Sequence, residues 1–257
     1  MTEYAIPSRG RASSIREQTL TTLERLDVPM SKVRVFVAPD EFDEYREAVG
    51  EAWVYEGRLG MAANRHAILD SYEAGTELVQ IDDDIAGIVM RVNEKVLKPV
   101  TAFQWEQIVT GAFRTCRRTG ARLWGVYPVA NPMFMRDRVR ADLTYICGNL
   151  YGCIAPGPGP SPLRPTLEDK EDYERTLACY AEDRAVIRVE WVSSKTRFYD
   201  APGGMQTDGQ RTEERIRESA EELARRYPQW AKLNLTKRSG HAELRLRDPN
   251  GLVVVPT

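Results

Sequence analysis

Three consecutive carboxylates follow a short apolar run early in the chain. Asp82, Asp83 and Asp84 come directly after residues 78–81, and such a run predicts a short buried strand. Because an unpaired carboxylate is costly to bury, we expect the acids at the carboxyl end of this strand, where open α/β sheets bind ligands. Carboxylates spaced i and i+2 can share one Mg²⁺ or Mn²⁺, which would neutralise a diphosphate. The alternative is a solvated acidic turn.

The residues before this triplet alternate between strand and helix patterns. Strands are predicted at 3–6, 33–37, 53–55 and 78–81, and helices at 14–26, 40–49 and 62–72. The first helix is expected to begin with a capping box of Ser14 and Glu17. This β-α-β-α-β-α-β order predicts a parallel, right-handed wound α/β sheet with helices on both faces.

The second half of the chain is less regular. Helices are expected at 101–118, 171–181 and 212–226, strands at 122–127, 143–154 and 186–192, and a closing hairpin at 241–247 and 252–255. Residues 156–162 are rich in proline and glycine, which excludes a helix or central strand. This segment predicts an ordered or closing loop, with a plain linker as the alternative. Residues 201–205 predict a second flexible loop.

The composition is typical of one soluble, enzyme-sized unit of one or two domains. The net charge of −2 gives no global signal for nucleic acid, so such a contact would need local basic patches. No apolar stretch approaches the roughly 18 residues of a membrane span, and no secretory signal is evident. The four cysteines lack CxxC spacing, and the two histidines exclude a multi-histidine zinc site. We therefore expect reduced thiols and a cytoplasmic protein without membrane contact.

Taken in order, three segments resemble a GT-A glycosyltransferase with its DxD motif. They are residues 7–11 (PSRGR) after the first strand, residues 60–65 (GMAANR) before the triplet, and residues 170–177 (KEDYERTL) at a helix start. Asn64 and Arg65 stand in the inverse of the usual order, which leaves open which of them faces the donor. Within this fold the chain resembles the TET-associated glycosyltransferases of phages, relatives of the base J glucosyltransferase. That group glycosylates hydroxymethylated pyrimidines in DNA.

The resemblance implies a domain arrangement and a reaction. A GT-A domain would span 1–200, with a nucleotide-sugar half at 1–90 and an acceptor half at 91–200. A smaller antiparallel C-terminal extension, 201–257, would close the site. The expected reaction moves a sugar, glucose from UDP-glucose, to 5-hydroxymethylcytosine or a related base in DNA, with Mn²⁺ or Mg²⁺. The protein would act in the host cytoplasm if it is phage-encoded.

The resemblance also implies the residues that bind the donor and the metal ion. Arginine suits phosphate because its planar fork binds two oxygens. Asp84 is the expected direct metal ligand, and Asp83 should point away because adjacent side chains diverge in extended backbone. The donor-binding set is Pro7, Ser8, Arg9, Arg11, Glu41, Asn64, Arg65, Asp82, Asp83, Gly203 and Gly204. The metal-binding set is Asp82, Asp84 and His241.

Some of these residues have simpler alternatives. Asp40 or Glu41 could hold the base or ribose, but a helix N-cap is the favoured interpretation. His241 could equally be an exposed strand histidine, and His66 is expected to be structural. Arg9 and Arg11 could be plain surface charges.

An inverting displacement needs a general base for the acceptor hydroxyl, and a carboxylate within hydrogen-bond reach can serve. By resemblance, Asp172 is the expected base and Asp169 the reserve, with Glu171 in the same acidic helix start. The alternative is that these acids only favour the helix N-terminus through its dipole. If configuration is retained, Asp172 would instead position the donor sugar.

A DNA acceptor would need a basic surface and a pocket for a flipped base. The expected phosphate-binding residues are Lys195, Arg197, Lys237 and Arg238, and the aromatic candidates are Trp191, Phe198, Tyr199 and Trp230. From the residues alone a solvated charged surface is favoured, and only the resemblance favours DNA over a glycan or small-molecule acceptor.

Two other classes of protein remain as alternatives, a sugar-nucleotide-forming nucleotidyltransferase and a non-catalytic DNA-binding module. The single glycine in residues 7–11 counts against the first, and the acidic triplet against the second.

Overall fold

The structure, a computed structural model, describes residues 2–50, 53–196, 212–234 and 243–256. The strands in these ranges are β1 Glu3–Pro7, β2 Val33–Val37, β3 Val54–Glu56, β4 Glu77–Ile81, β5 Ile85–Arg91, β6 Leu97–Pro99, β7 Leu123–Tyr127, β8 Val139–Asp142, β9 Leu150–Ile154, β10 Val186–Thr196, β11 Ala231–Asn234, β12 Glu243–Leu246 and β13 Val254–Val255. The helices are α1 Ala12–Ile15, α2 Thr21–Arg25, α3 Phe42–Val49, α4 Met61–Asp70, α5 Ala102–Thr119, α6 Glu171–Asp183 and α7 Glu213–Arg226.

The N-terminal part of the sheet has the predicted parallel arrangement. Strands β3, β2, β1 and β4 lie side by side in that order, and each neighbouring pair is parallel. Their carboxyl ends therefore meet at one edge, where β1 runs into residues 8–11 and β4 into the acidic triplet. This confirms the prediction of a wound α/β sheet and of the position of the acids at the end of a strand.

The rest of the large sheet is mixed. Its order continues from β4 through β9, β7, β10 and β8 to β13, while β5 pairs with β10 and β6 pairs with β5. Strand β9 runs antiparallel to both β4 and β7, whereas β10 is parallel to β7. A separate two-stranded sheet is formed by β11 and β12. The sheet thus brings β10, late in the chain, next to β5, which directly follows the acids.

Helices cover both faces because successive strand side chains point to opposite sides. In β2, Val35 packs in one apolar core and the next residue, Phe36, in the other. The first core contains residues of α2, α3 and α5, and the second contains residues of α4, α6 and α7. Helix α7 therefore packs on the same core as α6, while the division at residue 200 into two units stays a prediction.

Several local predictions are wrong. The first helix begins at Ala12 and its N-cap makes no side-chain hydrogen bond, so Ser14 lies inside the first turn rather than at its cap. The predicted strand over 143–154 is β9 preceded by an irregular loop, and the segment 85–99 forms β5 and β6. Strand β12 pairs with β11, and β13 pairs with β8, so the predicted closing hairpin does not form. These strands pair with distant segments, which local turn chemistry does not reveal.

The described part of the chain contains no helix that is both long and apolar enough to cross a membrane.

Candidate functional site

The loop after β1 is joined to the acidic triplet by hydrogen bonds and ion pairs. Ser8 Oγ donates to Asp83 Oδ2 at 2.5 Å and shares a 2.6 Å hydrogen bond with the Tyr45 hydroxyl. Arg11 Nη1 lies 2.5 Å from Asp83 Oδ1 and 3.2 Å from Asp84 Oδ2. Asp83 is buried and faces this loop, and it shares Arg11 with Asp84. The loop and the triplet therefore form one rigid unit.

The outer side of the same loop is held by two acids that follow β2. Arg9 Nη1 donates to Asp40 at 2.7 Å, and the Gly10 N–H lies 3.0 Å from both Glu41 carboxylate oxygens. The hydrogen bond from Arg9 lowers the pKa of Asp40. Glu41 occupies the N-cap position of α3, as the favoured interpretation has it, but neither its side chain nor that of Asp40 makes a capping hydrogen bond. Both acids shape the loop instead.

Arg65 and Asn64 have separate tasks. The Arg65 side chain is 1% exposed, and it donates to Gln80 Oε1 at 3.1 Å, to Asp82 Oδ1 at 3.0 Å and to the Gly148 carbonyl at 2.8 Å. Asn64 donates to the Phe36 carbonyl at 3.1 Å and supports the loop after β3. Of the two residues whose order the sequence left open, Arg65 contacts the acidic triplet and Asn64 braces the backbone.

Gly148 joins the acidic triplet to the start of α6. Its carbonyl accepts from Arg65, and its N–H lies 3.4 Å from Asp172 Oδ2. A side chain here would crowd the site, because a Cβ would stand 2.7 Å from Glu171 Oε1. The sequence offered no signal for Gly148, since the loop around it was assigned to a strand. This segment therefore connects Asp82, through Arg65, with Asp172.

Asp172 is held by three donors. Its carboxylate accepts from the Tyr145 hydroxyl, from the Tyr173 N–H at 2.9 Å and from the Gly148 N–H. The Tyr145 ring stacks on Tyr173 with centroids 4.3 Å apart. Burial and then the charge of Asp172 raise the pKa of Tyr145 well above its usual value, so the phenol stays protonated and donates. This arrangement fixes the direction of the carboxylate.

The other acids near the start of α6 are engaged elsewhere. Glu171 forms ion pairs with Arg175 and, at 3.8 Å, with Arg65, so it acts as a counterion for two buried arginines. Asp169 is buried and lies 3.7 Å from Arg215 of α7. The base assignment stays a prediction. Of Asp172 and Asp169, Asp172 is the one whose carboxylate accepts from the Gly148 N–H.

Burial shapes the proton chemistry of the site. It raises the pKa of Asp82 to about 7, against the lowering effect of Arg65, and Asp84 and Asp83 add to the rise. Burial also raises the pKa of the Cys147 thiol to about 12, and the charge of Asp172 acts in the same direction. Cys147 is therefore a thiol at neutral pH and no thiolate nucleophile.

The donor set suits a metal ion that shares its coordination with a ligand. Among the described residues, no group of three or more His, Cys, Asp or Glu side chains is arranged to hold a metal ion. Asp82 and Asp84 are two carboxylates on one turn, and Mg²⁺ is usually bound by one or two carboxylates plus substrate phosphates and water. The triplet thus fits a site completed by a diphosphate rather than an all-protein cage.

Other predicted site residues lie away from the network of the acidic triplet and Asp172, or outside the described ranges. Lys195 is exposed on β10, opposite Gly87 of β5. Trp230 packs edge-on against Tyr180 in the second core at 5.1 Å, so it is not a wall of an open pocket. His66 bonds to the Pro165 carbonyl at 2.7 Å, which confirms a structural role. The predicted residues outside the described ranges are Arg197, Phe198, Tyr199, Gly203, Gly204, Lys237, Arg238 and His241.

Comparison with known proteins supports the fold. No protein-family model and no curated protein matches the sequence. The structure is similar to the crystal structure of S. aureus TarS 1–349 in complex with UDP-GlcNAc, with a TM-score of 0.50 and 15% identity over 87% of this chain and 66% of that one. A second TarS 1–349 structure gives a TM-score of 0.47 and 14% identity over 87% and 65% of the two chains. This chain thus spans just under two thirds of the TarS fragment, and at such identity the likeness concerns the fold, which is of the GT-A type.

The raised pKa of Asp82 predicts a pH-dependent stability in the absence of metal. A free aspartate has a pKa of about 3.9, so the folded chain favours the protonated acid. That contribution is present below the unfolded pKa and is lost as pH rises towards 7. Asp82→Asn, which cannot ionise, should therefore gain stability relative to the parent between pH 5 and pH 8 in chelator. Urea unfolding at each pH measures the difference.

Asp43→Asn is the matched control, because the Asp43 side chain is fully exposed. A stability difference between Asp82→Asn and the parent that stays constant from pH 5 to pH 8 would contradict the assigned pKa of Asp82.

Proposed function

We propose that this protein is a metal-dependent glycosyltransferase. It would transfer a sugar, glucose from UDP-glucose, to the hydroxyl of 5-hydroxymethylcytosine or a related modified pyrimidine in DNA. The observation that carries the proposal is the connection of Asp82, through Arg65, and of Asp172 to the same Gly148 segment. One carboxylate lies at the end of a strand, where a diphosphate would bind, and the other would deprotonate the acceptor hydroxyl.

The donor nucleotide would lie along the loop after β1. Arg11 presents a guanidinium beside the triplet, and arginine binds phosphate oxygens in pairs. Pro7, Ser8, Arg9 and Glu41 would hold the nucleoside, as in the enzymes that this loop resembles. The GT-A fold and the UDP-GlcNAc bound to TarS, which has a similar fold, support a nucleotide-sugar donor.

A divalent cation would be held by Asp84 and Asp82, with His241 as a candidate third ligand. When bound, the cation supplies a positive charge that stabilises the leaving diphosphate. Arg65 would keep Asp82 in place, since it also donates to Gln80 and to the Gly148 carbonyl.

Asp172 would act as the general base. It takes the proton of the acceptor hydroxyl, whose oxygen forms a bond to the anomeric carbon of the donor sugar. The bond from that carbon to the diphosphate breaks, and its electron pair leaves with the phosphate oxygen. The Tyr145 hydroxyl and the Gly148 N–H donate to the carboxylate and would orient it during this transfer.

The DNA acceptor is supported by the resemblance to the phage enzymes. Of the four basic residues proposed for the phosphate backbone, Lys195 is the one within the described ranges, and it is exposed. A modified base inside a duplex must be flipped out before a transferase can reach it. The acceptor therefore has to be tested separately from the transferase activity.

The function is tested by incubation with a panel of sugar nucleotides and either hydroxymethylated or plain DNA, followed by nucleoside mass spectrometry. We expect a hexose on the hydroxymethylated nucleoside alone, with Mn²⁺ or Mg²⁺ present. Asp84→Ala should abolish nearly all turnover, because one of two carboxylate ligands is lost. The exposed Asp43→Ala is the control and should keep full activity.

The possible outcomes separate the parts of this proposal. Full turnover of Asp84→Ala in chelator would refute the metal site. Equal transfer to a free nucleoside or a glycan would refute DNA as the acceptor but leave the glycosyltransferase intact. Synthesis of a sugar nucleotide from a sugar phosphate and a nucleoside triphosphate would identify a nucleotidyltransferase.

Asp172→Asn tests the base. We expect kcat to fall by about 10² to 10⁴, the usual contribution of a general base, while donor affinity changes little. Asp169→Asn is the comparison. Asp169 lies beside Arg215, so this substitution should leave kcat nearly unchanged. If Asp172→Asn has a normal kcat and Asp169→Asn has a strongly reduced kcat, Asp169 rather than Asp172 is the general base.

A further inference from the structure

Asn149 lies directly beside the acidic triplet. Its backbone carbonyl accepts the Asp82 N–H at 2.9 Å, which extends the pairing of β9 with β4 by one bond. Its side chain is buried, and Nδ2 donates to Ser194 Oγ at 3.1 Å. The residue is 7% exposed, so more than nine tenths of it is removed from solvent.

The remaining polar atom of this side chain has no protein partner. Within the described ranges no group donates to Asn149 Oδ1, and the buried Thr196 Oγ1 likewise has no partner there. Buried polar groups in native proteins are nearly always hydrogen-bonded, and each exception calls for an explanation. A ligand that supplies the missing donor is one such explanation, and the neighbouring acidic triplet indicates where that ligand would lie.

The side chain that Asn149 contacts is the neutral hydroxyl of Ser194, near the end of β10. Ser194 is paired with Ile88 of β5, and Thr196 with Ile85, the residue that follows Asp84. The amide of Asn149 and the Ser194 hydroxyl carry no charge that would attract phosphate. They match a neutral, polyhydroxylated group, and the part of a nucleotide sugar with this chemistry is the sugar itself.

We propose that Asn149 Oδ1 accepts a hydrogen bond from one hydroxyl of the donor sugar and thereby contributes to sugar selectivity. Ser194 is a positioning residue, because it fixes the amide through Nδ2. This inference rests on the proposed nucleotide-sugar donor and adds a residue that binds the sugar.

The test compares the full donor with analogues that lack one sugar hydroxyl each. With the parent protein, one deoxy analogue should lose about tenfold in kcat/KM, the order expected for one net hydrogen bond. With the full donor, Asn149→Ala should lower kcat/KM by a similar factor. With that deoxy analogue, the substitution should lower kcat/KM no further. The affinity for UDP, measured by calorimetry, should stay unchanged. An equal loss with every donor, or weakened UDP binding, would overturn the proposal.

Two serines give matched variants of the same size. Ser194→Ala removes the group that holds the Asn149 amide and should reduce the preference for the full donor. Ser193→Ala is the control, because Ser193 is equally buried but its hydroxyl points to the Ser194 carbonyl at 3.4 Å. Equal behaviour of the two variants would contradict the positioning role.

The failure of this inference is distinguishable from failure of the proposed function. If the parent protein transfers sugar and Asn149→Ala shows normal selectivity, only the role of Asn149 is wrong. If no sugar is transferred, the ratio of UDP-sugar to UDP affinity is compared between the parent and Asn149→Ala. If the substitution leaves this ratio unchanged, the contact between Asn149 and the donor sugar is refuted. Thermal melting checks that each variant is folded.

Discussion

The site depends on one buried guanidinium. Arg65 lies in α4 and is nearly inaccessible to solvent, so its charge and its donors need partners from the protein. It finds them in Gln80 of β4, in Asp82 and in the Gly148 carbonyl. These partners come from two distant parts of the chain, residues 80–82 and Gly148. The need to satisfy one buried cation therefore fixes the distance between the acidic triplet and the loop that supports Asp172.

Charge balance explains why three adjacent acids are tolerated at this edge. Asp83 and Asp84 share Arg11, Asp82 faces Arg65, and Glu171 serves Arg65 and Arg175. Both buried arginines also lie over the Tyr151 ring, with the Arg175 guanidinium 3.9 Å from its centroid. Arginine is suited to such stacked, multiply bonded positions, and lysine would not replace it. Each charge is placed by its partner, so the network is sensitive to the loss of any member.

The sequence revealed what depends on local patterns. The strand before the acids, the loop after β1 and the start of α6 were predictable because each has a periodic or motif signal. Gly148 and Asn149 were not, because their roles arise from β9 lying between β4 and β7 and from β10 lying against β5. The motif order could not decide between Asn64 and Arg65. Their separation follows from helical geometry, which turns adjacent residues to different sides of α4.

The most direct measurement is a crystal structure with UDP and Mn²⁺, with the metal located by its anomalous scattering. We expect one Mn²⁺ held by Asp84 and Asp82 beside the bound UDP, with Arg65 still bonded to Gly148. The Asp172 carboxylate should remain on Tyr145, facing the position of the missing sugar. Mn²⁺ and UDP bound elsewhere, such as in the cleft at the opposite end of the sheet beside Arg34 and Arg117, would contradict it.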